Sequence, residues 1–397
     1  MNPVVLSVPV IVTPPPATVT VKNGALLQLA VTATDVLTYQ WNKDGSPIPG
    51  ATSATYTVTA SPTTAGSYTV TVTNAQGSVT TTPTVVTVSI ASSLLVDISA
   101  RSNGGTGDNV AIGGFVLSQG GTVLLRAVGP TLTTDNLPAG EVMADPTIEL
   151  HDAIHGNVVI ATNDNWVTQI PATGAAVTSQ GTAAQITATA ATVGAQALAS
   201  TDSTSSVLLL TLQAGVYSFV TRGTNNTGGI VLTEVYAVPD NTGKYPTLAD
   251  ISVRSNGGTG DNVSIGGFVI SGIVPKTVLL RAVGPTLTTD GLPASEVMTD
   301  PNIELHDAIH GNAVIATNDN WTTQVLAAGL ATGAITFQGA ASDITAATTR
   351  IGAQKLDPSD STSAALLITL NPGVYSFIVR GNNSGSGIVL TEVYDGD

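Results

Sequence analysis

The chain contains no cysteine, which excludes disulfide bonds, thiolate metal sites and a cysteine nucleophile. Charge is also scarce: charged residues make up 10% of the 397 residues, against about 25% in ordinary globular proteins. The 12 basic side chains are scattered and are outnumbered by 27 acidic ones. Nucleic-acid binding requires a clustered basic surface, so the sequence predicts no nucleic-acid partner.

Long apolar segments are missing as well. No stretch approaches the roughly 20 apolar residues of a transmembrane helix, and we expect no segment that spans a membrane. Met1-Asn2-Pro3 leads directly into a strand-like run rather than the basic and apolar regions of a secretory signal, so we expect a mature chain without its leader. The net charge of −15 suits solubility outside a cell, or cation binding.

The residues that are abundant instead favour β-structure. Thr, Val, Ala, Gly and Ser dominate, and β-branched residues with small turn formers suit strands joined by tight turns. The apolar fraction of 42% is sufficient for several cores. The composition therefore predicts an ordered all-β protein.

A long internal repeat organises the chain. The offset between its copies grows from 153 to 155 to 158 residues, as expected when short insertions fall in loops. A period of about 150 residues has the size of a domain, which indicates a tandem duplication. We predict three units: 1–91, 92–240 and 241–397. The matching blocks are 101–110 with 254–263, 124–135 with 279–290, 148–157 with 303–312, 159–166 with 314–321, and 229–236 with 387–394.

The first unit alternates apolar and polar residues between turn signals, which is typical of a β-sandwich. Residues 39–45, Tyr-Gln-Trp-Asn-Lys-Asp-Gly, resemble strand C of an immunoglobulin domain, with Trp41 as its buried tryptophan. Residues 65–74 resemble strand F, with Tyr68 as the tyrosine corner. The resemblance places Val31 and Val70 where antibody domains carry their disulfide, so apolar packing on Trp41 is expected to replace that bond.

Each duplicated unit shows about eight strand-like segments, which predicts a jelly-roll-like β-sandwich. A helix is expected only at 183–198. Residues 145–152, 159–165 and 212–219 resemble the bacterial pre-peptidase C-terminal type of β-sandwich. The whole unit is also similar to a repeat of large secreted bacterial proteins. This resemblance implies an extracellular, cell-surface location and no known catalysis.

Asn and Asp occupy matching turns in the two copies. Ca²⁺ takes about six to eight oxygen ligands from such turns, but Asn and Asp also form turns without any metal. Both interpretations stay open, and no other cofactor is expected. The candidate ligands are Asp108, Asp145, Asp152, Asn163 and Asp164, and in the second copy Asp261, Asp300, Asp307, Asn318 and Asp319.

His151 and His155, a pair repeated in the second copy, are the histidines of the chain. A His-x-x-x-His pair binds zinc on a helix, where both side chains share one face. Here Ile148 and Leu150 are expected to face inward from a strand, which turns His151 outward and leaves His155 in the following turn. We therefore expect solvent-facing or interface histidines rather than a zinc site.

Further candidate residues recur at equivalent positions of the two copies. Arg101, Arg126 and Glu234, with Arg254, Arg281 and Glu392 in the second copy, are rare charges, and we expect buried or half-buried ion pairs with an architectural role. Trp166 either stacks on a sugar or anchors a loop. No Gly-x-Ser-x-Gly motif or convincing His-Asp-Ser partnership is present. Duplication of every candidate residue speaks against a single shared cleft, so we expect no enzymatic activity.

These observations favour a structural protein, the subunit of a surface fibre that assembles head to tail. Residues 1–12 form an apolar run ahead of the usual first immunoglobulin strand, and this run is able to pair with a sheet edge of a neighbouring subunit. The residues expected to mediate assembly are Val4, Val5, Leu6 and Val8. The alternative is an adhesin or carbohydrate-binding module of a larger secreted protein, with a glycan or cell-surface ligand.

Overall fold

The computed structural model describes residues 7–22, 26–89, 93–106 and 110–397. The chain divides into two compact units, Met1–Ser92 and Ser93–Asp397. Strands dominate both units, so the all-β prediction is confirmed. None of the described helices is long and apolar enough to cross a membrane. The described helices are α1 (Ala183–Val193), α2 (Ala328–Thr332) and α3 (Ala341–Ile351).

The first unit is an immunoglobulin-like sandwich. One sheet has the order β2-β10-β8-β5-β6, with β9 also paired to β8, and β2 runs parallel to β10. The opposing strands pair as β3 with β7, and β1 pairs with β4. The strands are β1 (Val10–Thr13), β2 (Thr18–Lys22), β3 (Leu26–Ala30), β4 (Thr32–Thr34), β5 (Thr38–Lys43), β6 (Ser46–Pro47), β7 (Thr55–Thr59), β8 (Gly66–Asn74), β9 (Gly77–Thr80) and β10 (Thr84–Ser89).

Trp41 forms the centre of this sandwich. It is fully buried and lies directly opposite Val70 across β5 and β8. Val31 belongs to the same buried cluster. The Tyr68 hydroxyl donates a hydrogen bond to the carbonyl of Thr64 at 2.8 Å, four residues upstream, which is the geometry of a tyrosine corner. Burial, with smaller contributions from neighbouring groups, raises the pKa of Tyr68 to about 12, so the hydroxyl stays a donor.

The turn between β5 and β6 follows from its sequence. Lys43 pairs with Ser46, so Asp44 and Gly45 form a two-residue loop. Their φ angles are 51° and 80°, the left-handed conformation that a type I′ turn requires at both positions. This turn chemistry is what the Asp-Gly pair predicts.

The first copy of the repeat is a jelly roll with an additional strand. One sheet has the order β11-β19-β13-β17-β16 and the other β12-β18-β14-β15, with antiparallel neighbours throughout. The jelly-roll prediction is therefore confirmed. The strands are β11 (Leu94–Gly104), β12 (Ala111–Leu117), β13 (Gly121–Val128), β14 (Pro146–Asp152), β15 (Val158–Asn163), β16 (Val177–Gln180), β17 (Ser206–Leu212), β18 (Gly215–Gly223) and β19 (Gly229–Val238).

The second copy repeats this order strand for strand. Its sheets are β20-β28-β22-β26-β25 and β21-β27-β23-β24. Its strands are β20 (Leu248–Gly257), β21 (Ser264–Ser271), β22 (Lys276–Val283), β23 (Pro301–Asp307), β24 (Ala313–Asn318), β25 (Ile335–Gln338), β26 (Ala364–Leu370), β27 (Gly373–Gly381) and β28 (Gly387–Asp395).

The two jelly rolls are joined edge to edge. β11 pairs antiparallel with β21 of the second copy, and β12 pairs in the same way with β20. The five-stranded sheet of each copy thus continues into the four-stranded sheet of the other, and one apolar core contains residues of both copies. The sequence predicts two domains, 92–240 and 241–397. In the structure both copies belong to one compact unit, Ser93–Asp397.

Paired glycines make this arrangement possible. A Cβ atom at Gly113 would lie 1.9 Å from the ring of Phe219, so this glycine makes room for a core aromatic. A Cβ at Gly267 would lie 2.6 Å from the Oγ of Ser99, its partner across the join. A Cβ at Gly266, beside Gly267, would lie 2.3 Å from the ring of Phe377, so one glycine of this pair makes room for a core aromatic and the other for the contact between the copies.

Candidate functional sites

The candidate calcium ligands do not gather at one place. Asp108 lies outside the described residues. Asp145 and Asp152 flank β14 at opposite ends, which separates them by about 20 Å at roughly 3.3 Å per residue. Asp300 and Asp307 flank β23 in the same way. Across the described residues, no three His, Asp or Glu side chains are grouped closely enough to hold a metal ion.

The Asn-Asp-Asn turns use their first side chain for structure. Asn163 is buried, and its amide donates to the carbonyls of Asn165 at 2.8 Å and Val207 at 2.9 Å. Asn318 is buried and donates to two carbonyls in the same manner. Asp164 is exposed, as are Asp319 and Asp261. The turn therefore fixes β15 against β17, and calcium binding stays a prediction.

The histidines of each pair have different partners. His151 Nε2 lies 2.9 Å from Glu149 Oε1, whereas His155 Nδ1 lies 2.8 Å from Asp152 Oδ2. Burial would raise the pKa of Asp152, but hydrogen bonds from His155 outweigh burial and hold that pKa below its ordinary value. The same contacts recur in the second copy. Each His-x-x-x-His pair therefore orients two separate carboxylates rather than one shared ligand.

Arg126 and its equivalent Arg281 form buried ion pairs, as expected, whereas the buried Nε atoms of Arg101 and Arg254 have no hydrogen-bond partner among the described residues. Arg126 and Glu234 face each other across β13 and β19, with Arg126 Nη1 3.2 Å from Glu234 Oε2. Tyr236 donates to the second oxygen of Glu234 at 2.7 Å. In the second copy Arg281 Nε donates to Glu392 at 2.7 Å. These groups bond to one another inside the protein, so their role is architectural.

Two carboxyl groups lie on the strands that join the copies. Asp97 is opposite Val269 and Asp250 is opposite Val116. One oxygen of each is buried without a hydrogen-bond partner. Burial raises the pKa of both well above the ordinary value, and the neighbouring glutamate of each ion pair raises it further. Their position at the join therefore stabilises the neutral form of both acids relative to that of an ordinary aspartate.

Asp202 anchors a loop cluster that the sequence analysis missed. Its buried carboxylate accepts hydrogen bonds from the backbone and hydroxyl of Thr131 at 3.0 and 2.6 Å, and from those of Ser205 at 2.9 and 2.7 Å. Burial would raise its pKa, but these bonds outweigh burial and lower it. Asp360 repeats the arrangement. The available signal was the recurrence of Asp-Ser-Thr-Ser immediately before an apolar strand.

Trp166 and Trp321 are half-buried at the side of a helix in each copy. The indole Nε1 of Trp166 donates to the carbonyl of Asp202 at 2.7 Å, and Trp321 donates to Asp360. Each ring lines an apolar pocket, of about 200 Å³ in the first copy and 240 Å³ in the second. The Trp166 indole thus holds the Asp202 loop by a hydrogen bond, while part of the ring lines a small cavity.

Of the four residues expected to mediate assembly, Val8 lies within the residues that the structure describes. Val4, Val5 and Leu6 lie outside the described residues. Val8 is 43% exposed, and the carbonyl of the preceding Ser7 accepts a hydrogen bond from Asn74 at 2.7 Å. Residues 10–12 of the apolar run belong to β1, which pairs with β4 of its own sandwich. Assembly through Val4, Val5 and Leu6 therefore stays a prediction.

The sequence match to a curated protein covers a small part of the chain. No family model matches it. A decoration protein of Escherichia phage T5 is 57% identical over 44 residues, which are 10% of this chain and 27% of that protein. The chain therefore spans about a quarter of the length of the curated relative it matches.

Similar solved structures contain immunoglobulin domains. The tandem immunoglobulin repeats of Dlar are 18% identical and cover 21% of this chain and 48% of their own, with a TM-score of 0.19. Immunoglobulin domains 1–4 of Sidekick-1 are 12% identical and cover 98% of both chains, with a TM-score of 0.22. These scores are low, so the fold assignment rests on the strand order and register described above.

Proposed function

We propose that this protein is a non-enzymatic structural subunit of a bacterial surface fibre and that it assembles head to tail through its first residues. The observation that carries the proposal is the edge-to-edge join of the two jelly rolls. Two sheets run through both copies and share one core, which gives a wide, stiff body suited to bearing load.

The buried polar groups support a structural role. Arg126, Glu234 and Asp202 are polar residues with burial typical of active-site groups, and each one is bonded to other parts of the fold. Their bonds connect strands and loops. We therefore assign these side chains a structural role rather than a catalytic one.

Assembly through the first residues is supported by the composition of that segment. Residues 1–6 carry no charged side chain, and Val4, Val5 and Leu6 are strongly apolar. Apolar segments with a strand-like sequence are stabilised when they pair with an open sheet edge. A segment on one molecule and an edge on the next form a heterologous contact, which repeats into a fibre.

Sedimentation velocity over a concentration series tests this function. The wild-type chain is expected to show species larger than the monomer that grow with concentration. The double variant Val4→Asp/Leu6→Asp is expected to stay monomeric, since it keeps Ser7 and Val8 and their contacts in place. A wild-type chain that stays monomeric at every concentration contradicts the proposal. Adding a chelator to the same series tests calcium: unchanged assembly removes a structural Ca²⁺.

A second function, binding of a cell-surface carbohydrate, is favoured by one observation. Trp166 and Trp321 present part of an aromatic ring beside an equivalent pocket in each copy. Aromatic rings are common stacking surfaces for ligands with an apolar face. A glycan array probed with the wild-type chain tests this function, and an array without signal rejects it.

A further inference from the structure

A cleft lies where the strands of the first copy meet the second copy. Its volume is about 660 Å³, within the range of ligand-binding cavities. One wall carries Val116 of β12 and Val216 of β18, and the other is the end of α3 from Arg350 to Gln354. About half of the lining residues are polar, among them Asp250. We call this cavity the join cleft; a ligand that fills it needs both an apolar and a polar part.

Asp250 brings an unpartnered carboxyl oxygen to the join cleft. Its Oδ1 is buried and has no hydrogen-bond partner among residues 93–106 and 110–397. Tyr394 lies opposite Asp250 on β28, but its hydroxyl donates to Glu392 at 2.6 Å. Arg281 Nε donates to the same Glu392 at 2.7 Å. One arginine therefore serves two neighbouring carboxyl groups, and it is bonded to Glu392 rather than to Asp250.

The other cations around the join cleft are engaged as well. Lys276 Nζ lies 2.6 Å from Asp395 and 3.0 Å from Asp397, two further acids of the lining. Arg350 donates to the carbonyl of Gly396. The C-terminal end of α3, which forms one wall, adds a partial negative charge of about half an elementary charge. The electrostatics of the cleft thus favour a positively charged ligand.

The equivalent position in the first copy lacks this acidic surrounding. Asp97 also has a buried oxygen without a partner, beside the ion pair of the first copy. However, Thr192 stands there in place of Arg350, and Ala237 in place of Asp395. Asp97 is therefore a matched control for Asp250, with the same buried carboxyl group in a less charged setting.

We propose that the join cleft binds a small organic cation, a primary ammonium group on a short aliphatic body. The ammonium donates a hydrogen bond to Oδ1 of Asp250, and the aliphatic body packs against Val116 and Val216. Across the described residues no three His, Asp or Glu side chains are close enough to hold a metal ion, which favours an organic cation. The inference goes beyond the proposed structural function and does not depend on assembly.

The protonation of Asp250 couples this binding to pH. Burial and the neighbouring Glu392 raise the pKa of Asp250 well above its ordinary value, although Arg281 lowers it. An ammonium group favours the ionised carboxylate, so binding displaces the proton of Asp250. A primary ammonium keeps its own proton up to about pH 10. The affinity is therefore expected to be highest above the raised pKa and to fall as the pH decreases through it.

Isothermal titration calorimetry of the full-length chain with n-butylamine at pH 8 tests the site. We expect the wild type to bind n-butylamine but not n-butanol, which has the same aliphatic body without the charge. Asp250→Asn keeps the shape of the side chain and removes its charge, so we expect it to weaken binding at least ten-fold. Asp97→Asn is the matched control and is expected to bind as the wild type does.

A second pair of variants tests the cleft itself. Val216 lines the join cleft and is 38% exposed, whereas its equivalent Val374 is 39% exposed and lies outside it. Val216→Lys places a cation at the cleft and is expected to weaken binding at least ten-fold, while Val374→Lys leaves binding unchanged. The inference is overturned if the wild type does not bind n-butylamine, if Asp250→Asn binds it equally well, or if each control loses binding with its partner. Fibre assembly, measured separately, is independent of these outcomes.

Discussion

At the scale of single residues, a buried carboxylate connects the loops of each jelly roll. Asp202 accepts bonds from Thr131 and Ser205, and its carbonyl accepts the indole N–H of Trp166. A buried donor that loses its partner costs about 1–3 kcal/mol. Because several donors share this one carboxylate, its removal is more damaging than the loss of an ordinary hydrogen bond.

We expect Asp202→Ala to lower the free energy of unfolding by about 3–5 kcal/mol, the range for strongly destabilising buried substitutions. Urea unfolding followed by tryptophan fluorescence measures the change. Asp164→Ala is the control, since Asp164 is an exposed aspartate of the same copy. Equal stability of the two variants would show that the Asp202 cluster has no structural weight.

The carboxyl groups at the join give the stability a definite pH dependence. Asp97 and Asp250 have folded-state pKa values well above the ordinary value, so the folded state retains protons that the unfolded chain has lost. Their contribution to stability is complete below about pH 4 and decreases as the pH rises towards the raised pKa. Asp202 and Asp360, with lowered pKa values, contribute above that range and lose their contribution in acid.

The double variant Asp97→Asn/Asp250→Asn is therefore expected to gain stability over the wild type at pH 8 and to gain little at pH 4.5. Denaturant unfolding at the two pH values measures the difference. A wild-type slope between these pH values that persists unchanged in the double variant would contradict the assignment.

The role of a residue could be predicted from the sequence where the residue stands in a recognisable strand motif or is unusual for its strand. Trp41 and Tyr68 lie within recognisable strand patterns, and Arg126 and Glu234 are conspicuous as charges in apolar strands. Asp202 was missed because a single Asp among Ser and Thr reads as an ordinary turn. Its donors arrive from Thr131, about 70 residues away, and no local pattern reports that distance.

At the scale of elements, the glycine pairs Gly113-Gly114 in β12 and Gly266-Gly267 in β21 allow aromatic rings of the facing strand to pack close to the backbone. A Cβ atom at Gly113 would lie 1.9 Å from Phe219, and one at Gly266 would lie 2.3 Å from Phe377. Overpacking of this kind costs about 1–3 kcal/mol. Each glycine thus permits a core aromatic on the strand that faces it.

We expect Gly113→Ala and Gly266→Ala each to lower the free energy of unfolding by about 1–3 kcal/mol. Thermal unfolding compares them with Gly140→Ala, because a Cβ at Gly140 meets nothing within 4 Å. Near-identical melting of all three variants would show that these contacts relax without cost.

Alternation and turn signals predict most strands well, since they report which face is buried and where the chain reverses. The eight strands β11 to β15 and β17 to β19 agree with the roughly eight strand-like segments predicted for each copy, and α1 falls within 183–198. β16 (Val177–Gln180) was missed, because four largely polar residues carry no clear period. The pairing of β11 with β21 was also missed, since alternation identifies a face of a strand and not the strand beside it.

At the scale of the whole molecule, each copy completes the other. Within the tandem, β11 and β12 of the first copy are covered by β21 and β20 of the second. Removing the second copy would uncover both edges, and open edges are sites of self-association. The duplication therefore protects two edges that a single jelly roll would expose.

A protein of residues 93–240 is expected to dimerise or aggregate, with the missing edges supplied by another molecule. A protein of residues 93–397 is expected to stay monomeric, because it lacks the first segment and retains the join. Size-exclusion chromatography with light scattering compares the two. A stable monomer of residues 93–240 would show that the join is not needed to cover these edges.

The most direct test of the account is negative-stain electron microscopy of the wild-type chain. The account predicts regular fibres built from one repeating subunit, and their loss in the variant Val4→Asp/Leu6→Asp. Isolated particles of the wild type under all conditions would contradict the head-to-tail assembly on which the proposed function depends.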